Sequence, residues 1–335
     1  MANQEGRAVA VVDLSTFTLV RHIRLDAPPS QVLAGAGGVY ALTPETGAVH
    51  EISSGDLALR RKVRVARAAV SMRLAPDGGA LWVLCREPKQ LVELRLEGLR
   101  GEARIDLPLE PADFDLAPGG QWAAVSFGAS GSLSFVDLEQ RRCRPPVALG
   151  RQASAVRFRF DGKLALAANP EERRLSVVEA PAGRLLVHLP LAVRPEHLCY
   201  KSDGGQLFIT GAGMDAVVIV YPYSTEVSET VLAGKAPGAM AASSAYLFVA
   251  NSPTRDVTIL DIETRRAIAV AAVGDDPGFI TITPDDQFAL VLNRRSGDMA
   301  VIRLATITAK RARSAPLFTM IPVGSRPVSA AVCRI

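Results

Sequence analysis

Arg73, Asp115 and Arg157 follow one another at intervals of 42 residues, and Asp113 and His197 stand two positions earlier in the same frame. Two guanidinium groups around two carboxylates can neutralise each other, as partial burial would require of them. Alternatively, an Arg left unpaired can bind an anion. The spacing leaves both uses open. Arg151, Arg194, Glu196 and His197 form a second group, with the residue types a hydrolase needs. Glu196 or His197 would be the base, and Arg151 with Arg194 would hold developing negative charge. These four lie in a run of mixed charge with Asp26, Arg67, Glu110, Lys235, Asp275, Asp276 and Arg326, which also describes an ordinary solvated rim. A third group, Lys310, Arg311 and Arg313 in TITAKRARSAP, makes a basic loop that either contacts an acidic partner or phosphate backbone or is simply hydrated.

Other chemistry is sparse. The chain has no GxSxG, P-loop or HExxH pattern. Cys85, Cys143, Cys199 and Cys333 form no CxxC pair, so buried free thiols are expected, with no metal and no cofactor. Of the four histidines, 22, 50 and 188 are expected in outer strands, leaving His197 as the central candidate. A net charge of +4 gives no strong nucleic-acid signal, and no apolar run is long enough to span a membrane. MANQEGRAV lacks a signal-peptide core, so the chain reads as soluble, cytoplasmic if complete and extracytoplasmic if a leader was removed.

What positions these residues is a repeat. In VANSPTRDVTILDIETRRAIAVAAVGDDPGFITITPDDQ, 249–287, short alternating strands are separated by polar turns. Asn251 ends one strand, and its counterparts Asn3, Thr43, Cys85, Phe127, Asn169, Gly211 and Asn293 recur every 40 or 42 residues. Ten residues on, Asp13, Ser53, Arg95, Asp137, Glu179, Tyr221, Asp261 and Arg303 end the next strand. Repeats begin near 29, 69, 111, 153, 195, 237, 277 and 327, the last delayed by eight residues, and residues 1–25 complete the last of them. Turns such as APDGG at 75–79 and SDGG at 202–205 suit the positive φ of tight antiparallel connections. Asn169, Asn251 and Asn293 are expected to cap turns.

A unit of four short strands cannot bury its own faces and must stack on copies of itself. The expected fold is therefore all-β, a closed β-propeller of four-stranded antiparallel blades in a single domain, 1–335. Eight repeats are counted, and the N- and C-terminal strands close the ring. Between those terminal parts only Met1–Asn3 remain to form a strand, so the composite blade has three strands unless the chain begins upstream.

VANSPTRDVTILDIET, FITITPDD and the Val-Gly before Pro277 and Pro327 resemble the YVTN repeat of cytochrome-d1-like and lactonase-like propellers, most clearly over 153–304. The resemblance implies an architecture more than a reaction. Its relatives usually have seven blades, which is the alternative count here. The functional expectation is a non-enzymatic scaffold, monomeric, recognising an unidentified protein or small ligand at the propeller rim and channel mouth. A lactonase-like hydrolase at the same mouth is the alternative.

Overall fold

The computed structural model describes residues 1–35, 37–307 and 316–333. Among them, strands assemble into eight antiparallel sheets, each following the chain from first to fourth strand, and the fold is an eight-bladed β-propeller. Blades 1 to 4 span 31–64, 68–106, 113–148 and 156–190. Blades 5 and 6 span 197–232 and 237–272, blade 7 comprises 277–303 with 317–322, and blade 8 combines 327–329 with 2–24. The chain divides into two compact units: Gln31–Glu196 holds blades 1 to 4, and Met1–Ser30 with His197–Arg334 holds blades 5 to 8.

In each unit the core lies between blades. Second and third strands such as LALAAN and AVVIVY are buried, the latter up to its last residue, so both faces need a neighbour. In the first unit Tyr40, Leu42 and Val49 of blade 1 pack on Met72 and Leu81 of blade 2. Leu84 and Ile105 of blade 2 meet Phe114 and Phe127 of blade 3, whose Leu133 and Phe135 meet Val156 and Phe158 of blade 4. The other unit repeats the scheme, with Phe208 against Leu247, Phe248 against Val291, and Leu290 against Ala10. Each such aromatic or aliphatic side chain contributes roughly 1.5–3 kcal/mol on burial.

The fourth strands are the solvated edges. Leu59–Arg64, LRRKVR, is almost wholly exposed, and its charges discourage further strand addition. In blade 3 the fourth strand is broken into Arg142–Cys143 and Val147–Ala148 because Pro145 and Pro146 have no N–H to give the ladder. The composite blade has four strands, not three: Ala2–Asn3 pairs with Ala8–Asp13 on one side and Pro327–Ser329 on the other.

The recurrent Asn residues do something other than cap turns. They are fully buried, and their amides must be satisfied inside the blade. Asn251 Nδ2 donates to Asp256 Oδ1 at 2.7 Å and Thr258 Oγ1 at 2.9 Å, tying the second strand to the third. Asn293 reaches Asp298 in the same way at 2.6 Å, while Asn169 donates to the Gln152 carbonyl at 2.7 Å and accepts from Ser176. Thr43 holds this position in blade 1 and contacts His50 Nε2 at 3.1 Å, which places His50 on a buried third strand rather than an outer one. Nor are all the thiols buried: Cys85 is, and burial pushes its thiol up to about 12, but Cys143 and Cys199 are half-buried and Cys333 is exposed.

Asn251→Ala should lower stability by about 1–3 kcal/mol, since it strands the Asp256 and Thr258 acceptors in the blade. Urea unfolding checks this: the midpoint should fall at constant slope, and an unchanged midpoint would deny the amide its tying role.

Candidate functional site

The first strand of each blade is paired on one side only, and within each unit consecutive first strands lie side by side. Their free backbone groups need partners other than a fifth strand. Asp113–Leu116, the first strand of blade 3, alternates Asp with apolar residues, so both carboxylates share one face. Asp113 Oδ2 accepts the Val156 N–H of blade 4 at 3.2 Å, and Asp115 Oδ2 accepts the Phe158 N–H at 2.8 Å. Two carboxylates thus do what a strand edge would do.

The arginines complete the cluster from both sides. Arg157 Nη1 of blade 4 pairs with Asp113 Oδ2 at 2.7 Å, and Arg73 Nη2 of blade 2 lies 3.3 Å from Asp113 Oδ1. Arg73 Nε donates to the Phe114 carbonyl at 3.2 Å, sits 3.8 Å from Asp115 Oδ1, and its guanidinium lies over the Phe114 ring. Asp113 therefore bridges three blades, a role that the 42-residue column would have given to Asp115. The side chains are 19–27% exposed, dry enough for each charge to require its partner. Desolvation raises the Asp115 carboxyl above its ordinary 3.8, an effect opposed first by Arg157 and then by the Phe158 N–H. Desolvation also lowers Arg73, and Arg157 adds to that by like-charge repulsion.

Gln31 escaped sequence reasoning although it holds the register position of Asp113 in blade 1. Its Nε2 donates to the Met72 carbonyl and its Oε1 accepts the Met72 N–H, both at 2.9 Å. A neutral amide here does the work of a carboxylate, and alignment two residues before the charged column was the signal for it.

The second candidate group lies at the surface. Arg151, Arg194 and Glu196 are exposed, and no hydrogen bond or ion pair joins any two of these side chains. At Arg151 it is the backbone N–H that is held, by Glu172 Oε2 at 3.1 Å. His197 is exposed at the start of blade 5, opposite Thr210, and its Nε2 stands 3.9 Å from where a Cβ on Gly238 would lie. Much of the rim charge is paired locally, as in Arg67 with Glu87, Arg86 with Glu110, Arg255 with Asp275 and Arg294 with Asp276. Lys310, Arg311 and Arg313 lie outside the described residues. Among those described, no three His, Cys, Asp or Glu side chains are grouped to hold a metal ion, and no helix is long and apolar enough to cross a membrane.

No protein-family model matches the chain. A seven-bladed beta-propeller protein, Rv1057, of Mycobacterium tuberculosis (strain ATCC 25618 / H37Rv) is 26% identical over 132 residues. That match takes in 37% of this chain and about a third, 34%, of the relative's length. Among solved structures, dihydro-heme d1 dehydrogenase NirN in complex with DHE aligns over 97% of this chain and 73% of its own, with a TM-score of 0.79 at 15% identity. A functionally unknown protein from Desulfotomaculum acetoxidans DSM 771 aligns over 86% and 96%, at 0.66 and 13%. Kuenenia stuttgartiensis hydrazine synthase aligns over 78% and 88%, at 0.62 and 15%. Likeness at these identities is a likeness of fold. That relative is seven-bladed, whereas the described residues here form eight sheets.

Asp113→Ala should cost about 3 kcal/mol, the low end for breaking a buried pair, because it leaves two guanidinium groups facing each other. Thermal or urea unfolding measures it, and a change within the ordinary surface range would mean the network is dispensable. Asp115 behaves oppositely with pH. Its native carboxyl keeps its proton to higher pH than the unfolded chain does, so stability falls as pH rises from the ordinary carboxylate range through the native value. Asp115→Asn should flatten the stability profile in that window, and an unaltered slope would contradict the desolvation argument.

Proposed function

We propose that this chain is a binding scaffold of the YVTN-repeat type, in which the blades present loops to a protein or small ligand and the inner strands serve structure. The observation that supports this most is the mutual saturation of Arg73, Asp113, Asp115 and Arg157. The two carboxylates are engaged by arginines and by the N–H groups of Val156 and Phe158. A catalytic carboxylate or an anion-binding arginine has to keep a face for its substrate. These side chains instead face each other, so the cluster is better suited to joining blades than to turning over a substrate.

The surface for recognition is then the rim formed by loops entering the first strands. A lactonase-like hydrolase would need Glu196 or His197 to act as base with Arg151 or Arg194 as the oxyanion donor, and the exposed placement of Arg151, Arg194 and Glu196 does not favour this. The repeat spacing and the partial similarity to a seven-bladed propeller protein support the architecture without choosing a partner.

A panel of lactones and activated esters, assayed with the purified chain, tests the reading. Hydrolysis should not exceed the buffer rate, and Glu196→Gln or His197→Ala should change nothing. Turnover that either substitution lowers tenfold or more would establish the hydrolase and end the scaffold proposal.

A further inference from the structure

At the blade ends opposite the rim, in the unit holding blades 5 to 8, turns from two neighbouring blades line a half-open cavity of about 420 Å³. That volume lies in the range of small-molecule sites. Its walls are residues 243–246 of blade 6, 286–288 of blade 7, and 303–305, where the third strand of blade 7 ends at Arg303.

The cavity holds one charge of each sign. Arg303 is fixed by aromatic faces: its guanidinium lies 4.0 Å from the Phe318 ring centroid and 5.8 Å from that of Phe288. Phe17 packs edge-on against both rings and holds them in place. A guanidinium stacked in this way keeps its edge N–H groups available, and no carboxylate among the described residues pairs with it. Asp286 is fixed from the opposite blade. Its Oδ2 accepts from the Ser244 N–H and hydroxyl, at 3.1 and 2.5 Å, while its Oδ1 takes no hydrogen bond among the described residues. Both side chains border the same cavity, no ion pair joins them, and Tyr246, Phe288 and Leu304 supply apolar wall. The Tyr246 hydroxyl is anchored to the Ile307 carbonyl at 3.0 Å, so its ring is held as a fixed surface.

We propose that this cavity binds a small zwitterion of the α-amino acid class with an apolar side chain. The ligand carboxylate sits on Arg303, its ammonium on Asp286 Oδ1, and its side chain against Tyr246 and Leu304. The charge arrangement selects this class: a plain carboxylate meets Asp286 with the wrong sign, and a plain amine meets Arg303 with the wrong sign. Arg303 is the stronger determinant, because its planar fork suits a carboxylate bidentately.

Calorimetric titration with phenylalanine, phenethylamine and 3-phenylpropionate tests this on the full chain. Phenylalanine should bind, and the amine and the acid should each bind at least tenfold more weakly. Asp286→Asn keeps an acceptor for Ser244 and tolerates the left-handed backbone at this position, φ 59°, so it should fold normally and weaken phenylalanine at least tenfold. Arg303→Gln should do the same. If Arg303→Gln does not fold, Arg303→Lys and the three-ligand series on the unsubstituted chain decide the matter. No phenylalanine binding up to about 10 mM, equal binding of all three probes, or binding unchanged by Asp286→Asn would each overturn the assignment.

Discussion

Every blade in this protein leaves an inner strand edge, that of its first strand, which no further strand covers. A free edge of backbone N–H and C=O groups costs stability if dry and invites foreign strands if wet. The solution is to reach across from a neighbouring blade with side chains. Gln31 serves both groups of Met72, Asp113 and Asp115 take the N–H groups of Val156 and Phe158, and Arg73 covers the Phe114 carbonyl. In the other unit hydroxyls suffice, with Thr210 donating to the Gly238 carbonyl at 2.6 Å and Ser252 to that of Pro277 at 3.1 Å. The polar residues of the inner strands are there because of this edge.

The outer edge is managed by different means. Third and fourth strands slip by one residue at Val11/Val12, Glu51/Ile52, Glu93/Leu94, Val177/Val178, Ile219/Val220, Ile259/Leu260 and Val301/Ile302. A bulge repeated at one place in the repeat twists the outer strand away from a flat, pairable edge. Blade 3 has the same one-residue offset, between the Leu133–Val147 and Val136–Cys143 pairs, and there Pro145 and Pro146 also break the outer strand. Between these two edges the second and third strands are mostly buried, and their few polar side chains, such as Asn251 and Thr258, bond to one another.

The third strands were legible to the residue: Asp13, Ser53, Arg95, Asp137, Glu179, Tyr221, Asp261 and Arg303 all end where the spacing placed them. Period-two alternation between polar turns carries that much information. First strands were less legible. Those expected at Pro29, Pro111 and Pro195 begin two residues later, at Gln31, Asp113 and His197, whereas Pro237 and Pro277 open their own strands opposite Asn251 and Asn293. The ionic cluster could be read as a column but not as a bridge, since spacing does not show that Asp113 faces both arginines. The buried Asn ties were read as turn caps, because their polarity suggested water when the third strand supplied their partners. The cavity around Arg303 and Asp286 was invisible, being assembled from three turns with no shared motif.

Blades of a repeat protein are near-equivalents, and near-equivalents can be joined in the wrong order. Apolar faces discriminate poorly, since a Leu or Val wall accepts another such wall. The charged column discriminates well. Were blade 4 to dock directly on blade 2, Arg157 would meet Arg73 without Asp113 between them, leaving two half-buried cations in contact. The correct order instead places one bridging carboxylate between them, with Asp115 held by the next backbone N–H. On this argument the ions add less to the depth of the native state than to the penalty on its competitors. That is also why the cluster has charges of both signs.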